Sequence, residues 1–107
     1  MHIYKYYFNI KINTNYEIKI PKEIVEYLHL KINHNLNIYQ KDNRIFIEFF
    51  NIDDTDNLKE VGDSYKIIIP NEIRKTLQLK INQTLRIFLI ENKICLKKKK
   101  DYRGDFI

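Results

Sequence analysis

A chain of 107 residues with one cysteine, two glycines and a net charge of +5 is long enough for one small domain, or for two modules of about 50 residues that would each be marginal alone. A single cysteine excludes an internal disulfide and suits a reducing compartment. No apolar run is long enough to span a membrane and none at the N-terminus has the form of a signal peptide, so a cytoplasmic protein with no membrane partner is expected. The 19 Lys and Arg against 14 Asp and Glu favour an anionic partner such as nucleic acid, although a lysine-rich composition gives the same excess with no partner at all.

Residues 3–12 alternate, with Tyr4, Tyr6, Phe8, Ile10 and Ile12 on one face and Lys5, Asn9 and Lys11 on the other. That period predicts a half-buried strand. Asn13-Thr14-Asn15 is turn chemistry, and alternation resumes from Tyr16 to Ile20, so the segment is predicted to open with a hairpin. Pro21 suits the first position of a helix, Glu23 complements its N-terminal dipole, and Ile24 and Leu28 share a face; a helix over about 22–29 follows. Asn33 marks a turn, and Leu36 with Ile38, then Ile45 with Ile47, mark two strands joined at Asp42-Asn43, a plausible two-residue hairpin turn.

The acidic stretch NIDDTDN, residues 51–57, reads as a linker. After it Leu58 to Val61 is a weak strand and Gly62-Asp63-Ser64 a turn. Tyr65 to Ile69 is a strand, Pro70 to Gln78 a helix, and Asn82 a turn. Leu85 to Ile90 and Lys93 to Lys97 form a hairpin around Glu91-Asn92. A tail, 101–107, closes the chain.

The second half thus repeats the first. YEIKIPKEIVEYLHLKIN, from Tyr16 to Asn33, returns as YKIIIPNEIRKTLQLKIN, from Tyr65 to Asn82, at a constant spacing of 49 with the prolines in register. Repeat one is placed at 3–50 and repeat two at 58–100. Solenoids need about three or more repeats. Two copies point to a single pseudo-twofold domain over 1–107, a dimer fused into one chain.

The order strand, Ile-Pro-x-Glu-Ile, Leu four residues on, turn and hairpin resembles the AbrB/MazE/SpoVT family of swapped-hairpin DNA-binding domains. VGDSYKIIIPNEIRKTLQLKINQTLRIFLIENKICLKKKK, from Val61 to Lys100, carries the resemblance best. It implies a mainly β fold with short helices, a swapped-hairpin barrel that two subunits build elsewhere and that here would be an intrachain pseudo-dimer. It also implies a double-stranded DNA partner, met in the second repeat by Lys59, Lys66, Arg74 and Lys75. Lys11 and Lys22 are the candidates from the first repeat, where Glu17, Val25 and Glu26 stand at the positions of Lys66, Arg74 and Lys75. The family usually has Gly-Arg where Tyr16-Glu17 and Tyr65-Lys66 stand, and often Gly where His29 and Gln78 stand.

No enzyme chemistry is legible. His2, His29 and His34 have no metal-ligand spacing with Cys95, there is no Gly-rich phosphate loop, and Asp53 and Asp54 lie in the linker; no cofactor is expected. Lys97 to Lys100 fits either solvation or nonspecific phosphate contact. Three functions stay open: a transcriptional regulator, an antitoxin that also captures a toxin, and a protein-interaction module that has lost DNA binding. Family antitoxins carry a long C-terminal segment for the toxin, and only about ten residues follow the last strand expected here, which favours the regulator. The working unit is one chain or a homodimer of it.

Overall fold

The computed structural model describes residues 5–30, 35–50 and 65–99. The linker 51–57, the strand expected at Leu58 to Val61, the turn at Asn33, the tail and Lys59 lie outside the described residues. Nine elements follow in order: β1 (Lys5–Lys11), β2 (Glu17–Lys19), α1 (Lys22–Leu28), β3 (Asn35–Lys41), β4 (Arg44–Phe50), β5 (Lys66–Ile68), α2 (Asn71–Leu77), β6 (Thr84–Ile90) and β7 (Lys93–Lys98). The fold is mainly β and antiparallel, as expected.

The opening hairpin is corrected. The turn after β1 does form: the Asn13 side-chain oxygen accepts from the Asn15 and Glu17 amides, both at 2.8 Å. Yet β1 and β2 part company beyond it. β1 pairs with β6, Lys11 opposite Thr84, while β2 pairs with β5, Ile18 opposite Ile67. Tyr16, at φ 59°, turns the chain between the two sheets, and each strand finds its ladder in the other half of the molecule. The larger sheet runs β1-β6-β7-β4-β3 and the smaller is the β2-β5 ribbon. A closed barrel is likewise not present among the described residues, where β1 and β3 are the edges of an open sheet. The segment 49 positions after β1, which a closed arrangement would need beside β3, is not among them.

Pro21 and Pro70 stand one position before the helices, not in them. Their ψ values of 147° and 146° are extended, so each proline continues the extended chain just past a strand while its carbonyl accepts the first helical bonds, from Ile24 and Val25 (3.0 and 3.1 Å) and from Ile73 and Arg74 (3.1 and 3.0 Å). Each helix ends in a left-handed residue, His29 or Gln78, both at φ 55°. The next amide reaches back five residues, Leu30 to the Val25 carbonyl at 3.0 Å and Leu79 to that of Arg74 at 2.9 Å. This is the Schellman arrangement, usually closed by glycine. The turns Asp42-Asn43 and Glu91-Asn92 have positive φ at both residues, which is the two-residue hairpin geometry that matches strand twist.

One core serves both halves. Ile18, Ile20, Ile24, Leu30, Ile45 and Ile47 are buried together with Ile67, Ile69, Ile73, Leu79, Ile94 and Leu96, and each member of the first group is matched by the residue 49 positions on. Cross-links are reciprocal: the Ile20 amide donates to the Tyr65 carbonyl at 3.0 Å and the Ile69 amide to the Tyr16 carbonyl at 2.9 Å. In the larger sheet Phe46 lies opposite Cys95, again its counterpart.

At the margin of that sheet Glu48 accepts from the Tyr39 hydroxyl at 3.0 Å and from the Lys93 ammonium at 3.1 Å. The Lys93 contact, then the Tyr39 one, hold the Glu48 carboxyl below its ordinary 4.5. A depressed carboxylate stabilises the fold above its unfolded pKa, and that contribution fades as pH falls through the folded one. Glu48→Gln should therefore lose stability at pH 7 and show a flatter dependence of the urea midpoint on pH below about 4.5.

Candidate nucleic-acid interface

In α2 the residues four apart, Ile73 and Leu77, are buried. This spacing turns Lys75 outward, where it is exposed, and leaves Arg74 half-buried at the flank. Both cations lie in the last turn, the end of a helix that favours positive charge. Arg74 reaches the other half of the molecule, and its guanidinium carbon sits 4.1 Å from the centre of the Tyr16 ring. Its Nε is buried with no hydrogen-bond partner among the described residues. Beside it opens a groove of about 450 Å³, with Tyr16 and Leu79 in its lining and three cations, Arg74, Lys75 and Lys80, around it.

Lys66 is exposed on the β2-β5 ribbon and lies directly opposite Lys19. Like charges opposed across an antiparallel pair repel each other, so this pair gains from an anion laid over it. Lys19 and Lys80 were not legible as candidates. Lys80 has Lys31 as its counterpart, so contrast between the halves could not single it out, and Lys19 acquires meaning only when the ribbon brings it to Lys66.

Among the described residues the first half offers no matching face. Glu17 is tied to Asn13, whose side-chain amide donates to it at 2.9 Å. Lys22 is exposed and 3.9 Å from Glu26 on the same helix. Lys11, also exposed, ends β1 opposite Thr84. Neither Lys11 nor Lys22 lines the groove beside α2. Where α2 presents Arg74 and Lys75, α1 presents Val25 and Glu26.

Cys95 is fully buried in β7, and burial pushes its thiol up to about 11. It stays a neutral thiol at pH 7, and only the thiolate is nucleophilic. It should resist alkylation by iodoacetamide in the folded protein and react only once denaturant is added. Among the described residues no three of His, Cys, Asp and Glu gather as a metal site would require, and no helix is long and apolar enough to cross a membrane.

A strand, a short helix with cations on its outer side and a closing hairpin, interleaved with a second such set, is the arrangement of a swapped-hairpin module. Residues 58–104 match the family described as antidote-toxin recognition MazE, bacterial antitoxin, a family of the AbrB/MazE-like swapped-hairpin superfamily. That description is of a binding function. No curated protein and no solved structure matches the chain.

Proposed function

We propose that the protein is a double-stranded DNA-binding transcriptional regulator whose contacts come mainly from the second repeat, through Lys66, Arg74 and Lys75, with Lys19 and Lys80 beside them. The observation that carries this is the charge asymmetry of two otherwise matching halves: Arg74 and Lys75 of α2 flank a groove with Lys80, and β5 carries Lys66, while α1 and β2 place Val25, Glu26 and Glu17 at the positions of Arg74, Lys75 and Lys66. Compositional bias toward lysine would load both helices alike.

One chain then does the work of two subunits. The reciprocal bonds between Tyr16, Ile69, Tyr65 and Ile20, and the pairing of Ile18 with Ile67 and of Phe46 with Cys95, support a pseudo-twofold relation, since in a twofold contact residue i meets j and j meets i. Repeats 3–50 and 58–100, joined by 51–57, make up that single domain.

The test is fluorescence anisotropy of duplex DNA over a salt series. Five neutralised phosphates, one for each of these cations, give a log–log slope of about −4.5, roughly 0.9 per contact. Binding with a slope near zero would exclude this mechanism. The family match favours a second function, that of an antitoxin which binds DNA and also captures a toxin. A small protein that co-purifies in stoichiometric amount from the native cells, and stays bound when salt strips the DNA, would establish it.

A further inference from the structure

We infer that Tyr16 is a positioning residue for Arg74, so that the first repeat contributes an aromatic plate to the DNA face in place of a charge. This rests on the DNA-binding function proposed above and assigns a role to a residue in the half that lacks the basic face.

Strain is the first observation. Tyr16 is held at φ 59° and its counterpart Tyr65 at φ 57°. The left-handed region is unfavourable for a non-glycine residue, and a bulky aromatic is among the least suited. Glycine would meet the backbone requirement without that cost. The ring must therefore do something that a bare backbone cannot. The two tyrosines do different things. The Tyr65 hydroxyl crosses to the first repeat and donates to the Leu30 carbonyl at 3.4 Å. Tyr16 crosses to the second repeat and lies under the Arg74 guanidinium at 4.1 Å.

Arg74 itself is the second observation. Its side-chain Nε is buried and has no hydrogen-bond partner among the described residues. The stack on Tyr16 is what fixes its guanidinium plane. An arginine side chain loses rotamer entropy when it is fixed, and a cation held in advance spares that loss on binding. The groove beside it holds Lys75 and Lys80 and no carboxylate in its lining. A planar cation fixed at the edge of a basic groove suits phosphodiester oxygens or the acceptor edge of guanine. The counterpart of Arg74 is Val25, so α1 has no cation at that position for Tyr65 to hold, and among the described residues this seat occurs once.

The experiment is a double-mutant cycle on duplex DNA affinity at fixed salt, with Tyr16→Gly, Tyr16→Phe and Arg74→Gln. Tyr16→Gly should weaken binding about tenfold, within the range of a partly desolvated cation–π contact. Tyr16→Phe keeps the ring face and should bind within about twofold of the intact protein. In the Arg74→Gln background Tyr16→Gly should cost nothing further. An unchanged affinity in Tyr16→Gly overturns the inference. So does an equal loss in both backgrounds, which would mean that the ring touches DNA itself or serves only the fold. Tyr16→Asn, which tolerates the same backbone, repeats the cycle should the glycine variant not fold. If the intact protein binds no DNA at any salt, the DNA-binding function fails, and the role of Tyr16 fails with it; intact binding without coupling removes the role of Tyr16 alone.

Discussion

Replacing Lys66 and Lys75 by Glu and Arg74 by Gln should weaken duplex binding by at least about 100-fold at low salt, since each lost cationic contact is worth on the order of 1 kcal/mol or more. The salt slope should fall at the same time from about −4.5 to about −1.8, because three of five phosphate contacts disappear. The fold should survive. Lys66 and Lys75 are exposed, and neither belongs to the core of Ile67, Ile73 and Leu77. Arg74 is given a neutral replacement so that no carboxylate is placed against the Tyr16 ring 4.1 Å away. The matched control is the triple reversal of Lys11, Lys22 and Lys41 to Glu, which changes the net charge by more while leaving α2 and β5 untouched. If both sets weaken binding alike, the attraction belongs to the net charge of the whole molecule, and the second repeat has no special face. If only the first set does, the face lies on the second repeat.

Truncating the shared core should have the largest effect on stability. Ile94 is fully buried in β7, where it pairs with Ile47 of β4 and so touches the seam between the two halves. Ile94→Ala should cost about 2–5 kcal/mol, which lowers the melting temperature by on the order of 10–20 °C for a domain of this size. Ile68→Ala is the contrast. It is the same chemical change at a side chain that is 60 % exposed, and it should fall within about 0.5 kcal/mol. The form of the transition matters as much as its midpoint. With one core drawn from both repeats, tyrosine fluorescence and far-ultraviolet circular dichroism should shift together in Ile94→Ala. Two separate transitions, with the first repeat melting as in the intact protein, would show that the halves fold independently and that the common core does not hold them.

Most of the elements could be read from residue pattern because their causes are local. The period-2 alternation through Ile18 and Ile20, or Ile45 and Ile47, marks strands and their buried faces; Pro21 and Pro70 mark the strand-to-helix junctions; Asp42-Asn43 and Glu91-Asn92 mark the tight turns. Three features were out of reach. The partner of β1 was one: Phe8, Ile10 and Ile12 reveal which face is buried, but the edge that joins a strand to its neighbour is backbone amide and carbonyl, identical in every residue. The left-handed conformations of Tyr16, Tyr65, His29 and Gln78 were another. Residue type argues against them, and they are held by the surrounding hydrogen bonds, not by local preference. The third was the neighbourhood of Arg74, because Tyr16 lies 58 positions earlier in the chain and meets it only after the two halves interlock.

The sequence by itself determined that the order of strand, proline, helix and hairpin recurs at a spacing of 49 and that Arg74 and Lys75 have no cationic counterparts in the first helix, since hydrophobic period, proline position and charge are properties of the residues in order. The tertiary structure alone decided which strand pairs with which, that the opening turn leads from one sheet to another, and that an aromatic ring from one half lies beneath the arginine of the other. Those outcomes depend on contacts between residues distant in the chain, where the energy comes from backbone ladders and from burial in a core that neither half can close without its partner.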